Sequence, residues 1–248
     1  MALGPDKRFS LNTGARAERM TGTQAHAAGI DAGLRAYMLK VYNYMCIGLA
    51  LTGAVAFATS TSPVMLQAIY GTPLQWLVML APIGMVFFLA ARVHAMKAST
   101  AQAVFWVYAG MMGLSLAYIF IAYTGESVTR VFFITAGAFA GLSLFGYTTK
   151  KDLSGMGSFL IMGVIGLLIA SVVNIFLESS AMQFAISVLG VLIFAGLTAY
   201  DTQRIKAIYY EGDGMEVAEK KAVMGALTLY LDFINMFIFL LHLFGNRE

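Results

Sequence analysis

The sequence predicts an all-α integral membrane protein, a bundle of seven transmembrane helices with its N-terminus in the cytoplasm. Three observations carry that prediction. Hydrophobic residues make up 59% of the 248 residues and charged residues 12%, whereas soluble domains have about 45–50% and about 25%. The apolar residues gather into runs of about 20, the length a helix needs to cross a hydrocarbon core roughly 30 Å thick. The basic residues crowd into alternate breaks between these runs.

Residues 1–33 come first, polar and rich in Gly and Ala, with Lys7, Arg8, Arg16 and Arg19 among acids. They are expected to form a flexible cytoplasmic tail ahead of a membrane domain over 34–248. No short apolar core with a cleavage site marks them as a secretory signal. The spans then follow at about 36–59, 74–92, 103–123, 128–148, 157–177, 183–203 and 222–244. Between them lie "TSTSP", "RVHAMKAST", "TGES", "TKKDLSGMG", "LESSAM" and "RIKAIYYEGDGMEVAEKK", each with turn chemistry or charge. The four residues of "TGES" predict a tight hairpin between the third and fourth spans. Each run is continuous rather than alternating, which excludes a β-barrel. In lipid the backbone must satisfy itself, so the spans are helices.

Orientation follows from Lys and Arg. With the N-terminus inside, only Arg130 and Arg247 of the 16 basic residues fall on the outer face. That split requires an odd number of crossings. Small residues recur in "GAFAGLSLFG" (137–146), "GVIGLL" (163–168) and "GVLIFAG" (190–196), the composition that lets membrane helices approach closely. The net charge of +3 gives no sign of a nucleic-acid partner, and the bilayer is the expected one. Cys46 is read as a small apolar filler. His26, His94 and His242 are too scattered to converge on zinc, and no cofactor is expected.

Intramembrane acids carry the functional signal, because an ionised side chain in hydrocarbon is expensive and marks ion paths or proton relays. Asp232 lies within "TLYLDFINMFIFLLHLF" (228–244), and Asp201 near the cytoplasmic end of the sixth span in "LTAYDTQRI" (197–205). Those two spans run antiparallel, so both acids lie in the cytoplasmic half. Two carboxyl groups close together in a low dielectric cannot both ionise easily. Arg92, which closes the second span, could stabilise the charge on one of them. Asp201, Asp232 and Arg92 would then form a proton-sensitive latch, with a cation such as calcium competing transiently for the carboxylates. Plainer readings stand beside this one. Asp201 could be a helix-end ion pair with Arg204, and Arg92 a snorkelled anchor. Asn235 could be helix–helix glue or support for the site. Tyr200 and Tyr230 could hydrogen-bond the acids or sit in an aromatic belt.

The motifs "AYDTQRI" (199–205), "LYLDFINMFIFLL" (229–241) and "KKDLSGMGSFL" (150–160) resemble those of bacterial members of the Bax inhibitor-1 family, over about residues 34–244. The resemblance implies a bundle wrapped around its last helix. It also implies a pH-sensitive calcium leak latched by Asp201 and Asp232, with Arg92 as the arginine paired to the first, in the bacterial inner membrane. It further implies a link to a membrane-bound ATP-dependent protease, for which the polar tail would be a handle. One departure is that "LVMLAPIGMVFFLA" (77–90) has Pro82 and no acid, where similar bacterial proteins can carry an acidic residue.

Two functions compete: a proton-gated cation leak, with release faster on mild acidification, and a non-transporting regulator of a membrane protease. An enzyme is not expected. Asp232 is preceded by "LYL" rather than by the Gly-x-Gly of presenilin-type proteases, "GLSLFG" has no well-placed histidine, and the seventh span has no lysine for a retinal Schiff base.

Overall fold

Apolar runs become helices here because a bilayer leaves backbone groups no other partner. The computed structural model describes residues 22–247, with side chains from residue 31 onward. Its helices are α1 (Gly22–Ser60), α2 (Pro63–Tyr70), α3 (Leu74–Arg92), α4 (Ala98–Leu116), α5 (Ile119–Ala122), α6 (Gly125–Thr148), α7 (Ser154–Leu177), α8 (Ser180–Ala207) and α9 (Met215–Phe244). Among the described residues seven stretches are long and apolar enough to cross a membrane, α4 and α5 together making one of them. The tail read over residues 1–33 lies outside the described residues as far as residue 21. From Gly22 the chain is helical.

Local chemistry sets the breaks. Ser62 caps α2 by accepting from the Met65 N–H, and Pro63 occupies the first turn, where a missing N–H does no harm. The third crossing is interrupted where the Tyr70 hydroxyl donates to the Leu114 carbonyl at 2.6 Å. There the Leu114 carbonyl also accepts from the Ala117 N–H at 3.4 Å, a tighter i+3 turn, before the chain resumes as α5. At the start of α7, the Ser154 hydroxyl and N–H donate to Asp152 and hold its carboxyl below the usual range. Gln203 of α8 secures the same turn: it accepts from the Leu153 N–H at 2.8 Å and donates to the Lys151 carbonyl at 2.9 Å. Two of the motifs quoted above are thus bonded to one another.

α9 is the centre of the bundle and packs on α8, α1, α6 and α4, whereas α7 packs on α8. In its apolar stretch 67% of residues are buried in the protein, against 11% in that of α7. The far end of α9 is pinned as well. Asn246 donates its N–H to Ser127 Oγ at 2.9 Å, and Arg130 donates to the Phe244 carbonyl at 3.2 Å. Arg247 stacks over Tyr123 at 5.7 Å.

Glycines divide by face. Gly137, Gly141 and Gly166 have open space where a side chain would be, while Gly146 and Gly190 press against neighbours. A Cβ on Gly146 would stand 2.2 Å from the backbone oxygen of Ala199. Gly146→Ala is expected to force α6 from α8 at about 1–3 kcal/mol. Thermal unfolding of the purified protein should show a drop of roughly 2–4 °C for each kcal/mol, and Gly141→Ala should show almost none.

Candidate functional site

The antiparallel register of α8 and α9 is set by Gly225, which backs onto Ile205, and by Gly190, which backs onto Phe239. Asp232 thereby falls opposite Thr198, about one helical turn from Asp201. Every Cα–Cβ bond tilts toward its helix's N-terminus, and these helices run in opposite directions. The two aspartates therefore lean toward each other. Their carboxyl groups are in hydrogen-bonding contact, with Asp201 7% and Asp232 4% exposed. Such a contact needs a proton between the groups, since two carboxylates are both acceptors. Asp232 Oδ2 has no hydrogen-bond partner among the described residues.

The basic neighbour of the pair is Arg204, whose charge acts on Asp201. Arg92 is not brought to it. It is exposed at the end of α3, a helix that packs on α2 and α4, and among the described residues no ion pair joins Arg92 to Asp201. Asn235 donates to the Leu231 carbonyl of its own helix at 2.8 Å. The Tyr200 ring covers Gly157 on α7. Tyr230 is fully buried and lies 2.7 Å from Thr52 Oγ1, which itself donates to the Ala109 carbonyl at 2.8 Å. Tyr230 must therefore be the donor, and it joins α9 to α1. Removing that hydroxyl in Tyr230→Phe is expected to lower stability by about 1 kcal/mol in a denaturation midpoint and to leave ion permeability unchanged.

Two polar clusters went unread in the sequence. In the first, Tyr42 and Ser143 meet at 2.6 Å and Ser143 and Thr202 at 3.0 Å, while Thr202 donates to the Thr198 carbonyl at 2.7 Å. With the Thr202 proton committed there, the chain runs from Tyr42 through Ser143 to Thr202, across three helices. In the second, Glu219 accepts from Lys40, Tyr44 and Gln102. Nearby Glu216 caps α4 through the Ala98 N–H at 2.6 Å, and Lys220 donates to the Met96 carbonyl at 3.2 Å. The "EVAEKK" stretch (216–221) looks in sequence like a solvated break. Its signal was an acid of each pair spaced to face a different helix, but the partners lie more than 100 residues away.

Among the described residues no group of three or more His, Cys, Asp or Glu could hold a metal. Two carboxylates fall short of the roughly six to eight oxygens of a calcium cage, so the pair suits brief contact with a passing cation rather than residence. Cys46, expected as core filler, is exposed because α1 turns that side toward a gap beside α6 rather than into the bundle.

Fold and site define a seven-helix membrane protein whose enclosed last helix carries a buried acid paired with one on its neighbour. A profile of the family "Inhibitor of apoptosis-promoting Bax1" matches residues 34–248. The chain is 52% identical over 230 residues to an uncharacterized protein of Caulobacter vibrioides, which covers 88% of this chain and 92% of that protein. It is 50% identical over 222 residues to an uncharacterized protein of Rickettsia prowazekii, with the same coverage. It is 42% identical over 220 residues to the inner membrane protein YbhL of Escherichia coli K12, covering 88% and 94%. The chain belongs to the Bax inhibitor-1 family.

Proposed function

We propose that this protein is a pH-sensitive cation leak of the bacterial inner membrane, with calcium as the permeant ion and Asp201 and Asp232 as its latch. One observation supports this above others: two acids from adjacent helices touch through their carboxyl groups inside the bundle. The E. coli relative is named an inner membrane protein, and the crowding of Lys and Arg on one face puts the N-terminus in the cytoplasm.

Arg204, rather than the expected Arg92, supplies the positive field in this reading. It favours charge on Asp201, so the single proton belongs on Asp232. A second proton on the pair removes the negative charge that Arg204 attracts, and the cytoplasmic ends of α8 and α9 loosen. The charged groups facing the pair are then Arg204 and the two acids themselves. The sign is that acid opens.

Full-length protein in calcium-loaded vesicles should release calcium faster on mild acidification from neutral, followed with an external calcium indicator. A rate that ignores pH would sink the latch. No release above protein-free vesicles at any pH would leave the non-transporting protease partner as the better reading.

A further inference from the structure

Between α1 and α6 lies a cavity of about 670 Å³ whose floor is Phe233 of α9. That volume is within the roughly 300–1,000 Å³ of small-molecule sites. A second cavity of about 200 Å³ adjoins it, sharing Leu49, Phe132 and Phe233, and extends toward the start of α6. The walls are almost wholly apolar, and the rim residues Leu39 and Leu144 are exposed, so the crevice opens sideways onto the bilayer. The basic end differs. Arg35 lines the crevice there, exposed and with no ion-pair partner among the described residues. Lys206 does not line the crevice: it stands 5.0 Å over the ring of the lining residue Tyr147 and is committed to that residue's carbonyl at 2.8 Å.

A long apolar slot, open to lipid and headed by Arg35 on the cytoplasmic side, is complementary to one class of molecule. We infer that the crevice binds an anionic phospholipid of the cytoplasmic leaflet, with an acyl chain between α1 and α6 and the phosphate at Arg35. Basic pockets between transmembrane helices on that side bind such headgroups. A zwitterionic lipid fits the slot, but its ammonium offsets the attraction of its phosphate to Arg35. A partner protein helix would have to leave an apolar flank exposed and would not need Arg35. This inference does not depend on the calcium reading, because it concerns the outer wall of α1 and α6 and is read by labelling rather than flux.

The test places full-length protein in phosphatidylcholine vesicles doped with phosphatidylglycerol bearing a photoactivatable acyl chain. A parallel sample carries the same chain on phosphatidylcholine. Labelled peptides are located by mass spectrometry. The glycerol lipid should label residues 38–50 and 132–147 above the lipid-facing side of α7, and exceed the choline lipid by about fivefold, the factor one basic side chain contributes at a membrane surface. Arg35→Gln should bring the two lipids level. Ala140→Trp, which fills the slot, should remove the crevice label while leaving that on α7. Should that variant fail to fold, Ala136→Leu makes the same test with a smaller intrusion. Excess inorganic phosphate should not displace the label. Equal labelling by both lipids, labelling spread evenly over all lipid-facing helices, or displacement by phosphate would each overturn the assignment.

Discussion

Asp232→Asn and Asp201→Asn proteins are expected to part in calcium release: the first keeps the parent's acid-to-neutral rate ratio, and the second brings that ratio to about one. Asparagine matches aspartic acid in size, and its amide still donates to the Asp201 carboxylate. The contact between α8 and α9 survives, and the variant should unfold close to the parent. In Asp232→Asn the amide stands in for the protonated Asp232 of the neutral-pH pair. Asp201 can still take the second proton on mild acidification, so the latch still opens. Asp201→Asn should behave in the opposite way. It deletes the charge that Arg204 attracts, and release should be fast at neutral and acid pH alike. Vesicle efflux with a calcium indicator reads both. Two variants with the same slow, pH-dependent release as the parent would show that the pair holds the helices together without gating anything.

Glu219→Ala is expected to be the most destabilising change at the cytoplasmic end, by about 3 kcal/mol, taking two hydrogen bonds to a charged group at about 1.5 kcal/mol each. Glu219 is the shared acceptor for Lys40 and Tyr44 on α1 and Gln102 on α4. Its side chain is 14% exposed while that of Lys40 is 48% exposed. The ion pair with Lys40 is therefore the weaker part, being open to solvent. The tyrosine and glutamine bonds carry more, because their donors are left without an acceptor when the carboxylate goes. The unfolding temperature should fall by about 6–12 °C, at roughly 2–4 °C for each kcal/mol in a chain of this size. Glu219→Gln should recover part of that loss, since its carbonyl can still accept. A Glu219→Ala protein that melts with the parent would show that α9 is held at this end by packing and by Glu216 and Lys220 instead.

Much of the architecture was legible because hydrocarbon imposes one rule on every residue of a span. The second span reads as 74–92 and is α3, Leu74–Arg92. Asp232 was legible as a candidate for the same reason, standing among Leu231, Phe233 and Ile234. The ends of α8 and α9 were not, because helices can run beyond the apolar stretch where polar partners hold them. α9 starts at Met215 rather than near 222 because Glu216, Glu219 and Lys220 bond to α4, α1 and the turn after α3. Among the glycines, Gly137 and Gly146 are alike in sequence, yet only the second meets a neighbouring backbone.

Side-chain direction was the least legible quantity. Helical spacing put Asn235 on the face of Asp232, but its amide is drawn back to the Leu231 carbonyl. Tyr230, two residues from Asp232, turns to Thr52 instead. Arg92 reads as a third member of the latch from its charge and from the family resemblance, and neither says which helices pack together in this chain.

Composition and hydropathy determined by themselves that this chain crosses a membrane seven times as helices, and which face holds its basic residues, because the cost of burying polar groups in lipid is local and nearly independent of context. Only the tertiary structure decided that Asp201 meets Asp232 with Arg204 rather than Arg92 beside them, and that Arg35 heads an open slot. Those facts depend on how the helices rotate and register against one another, which long-range packing sets.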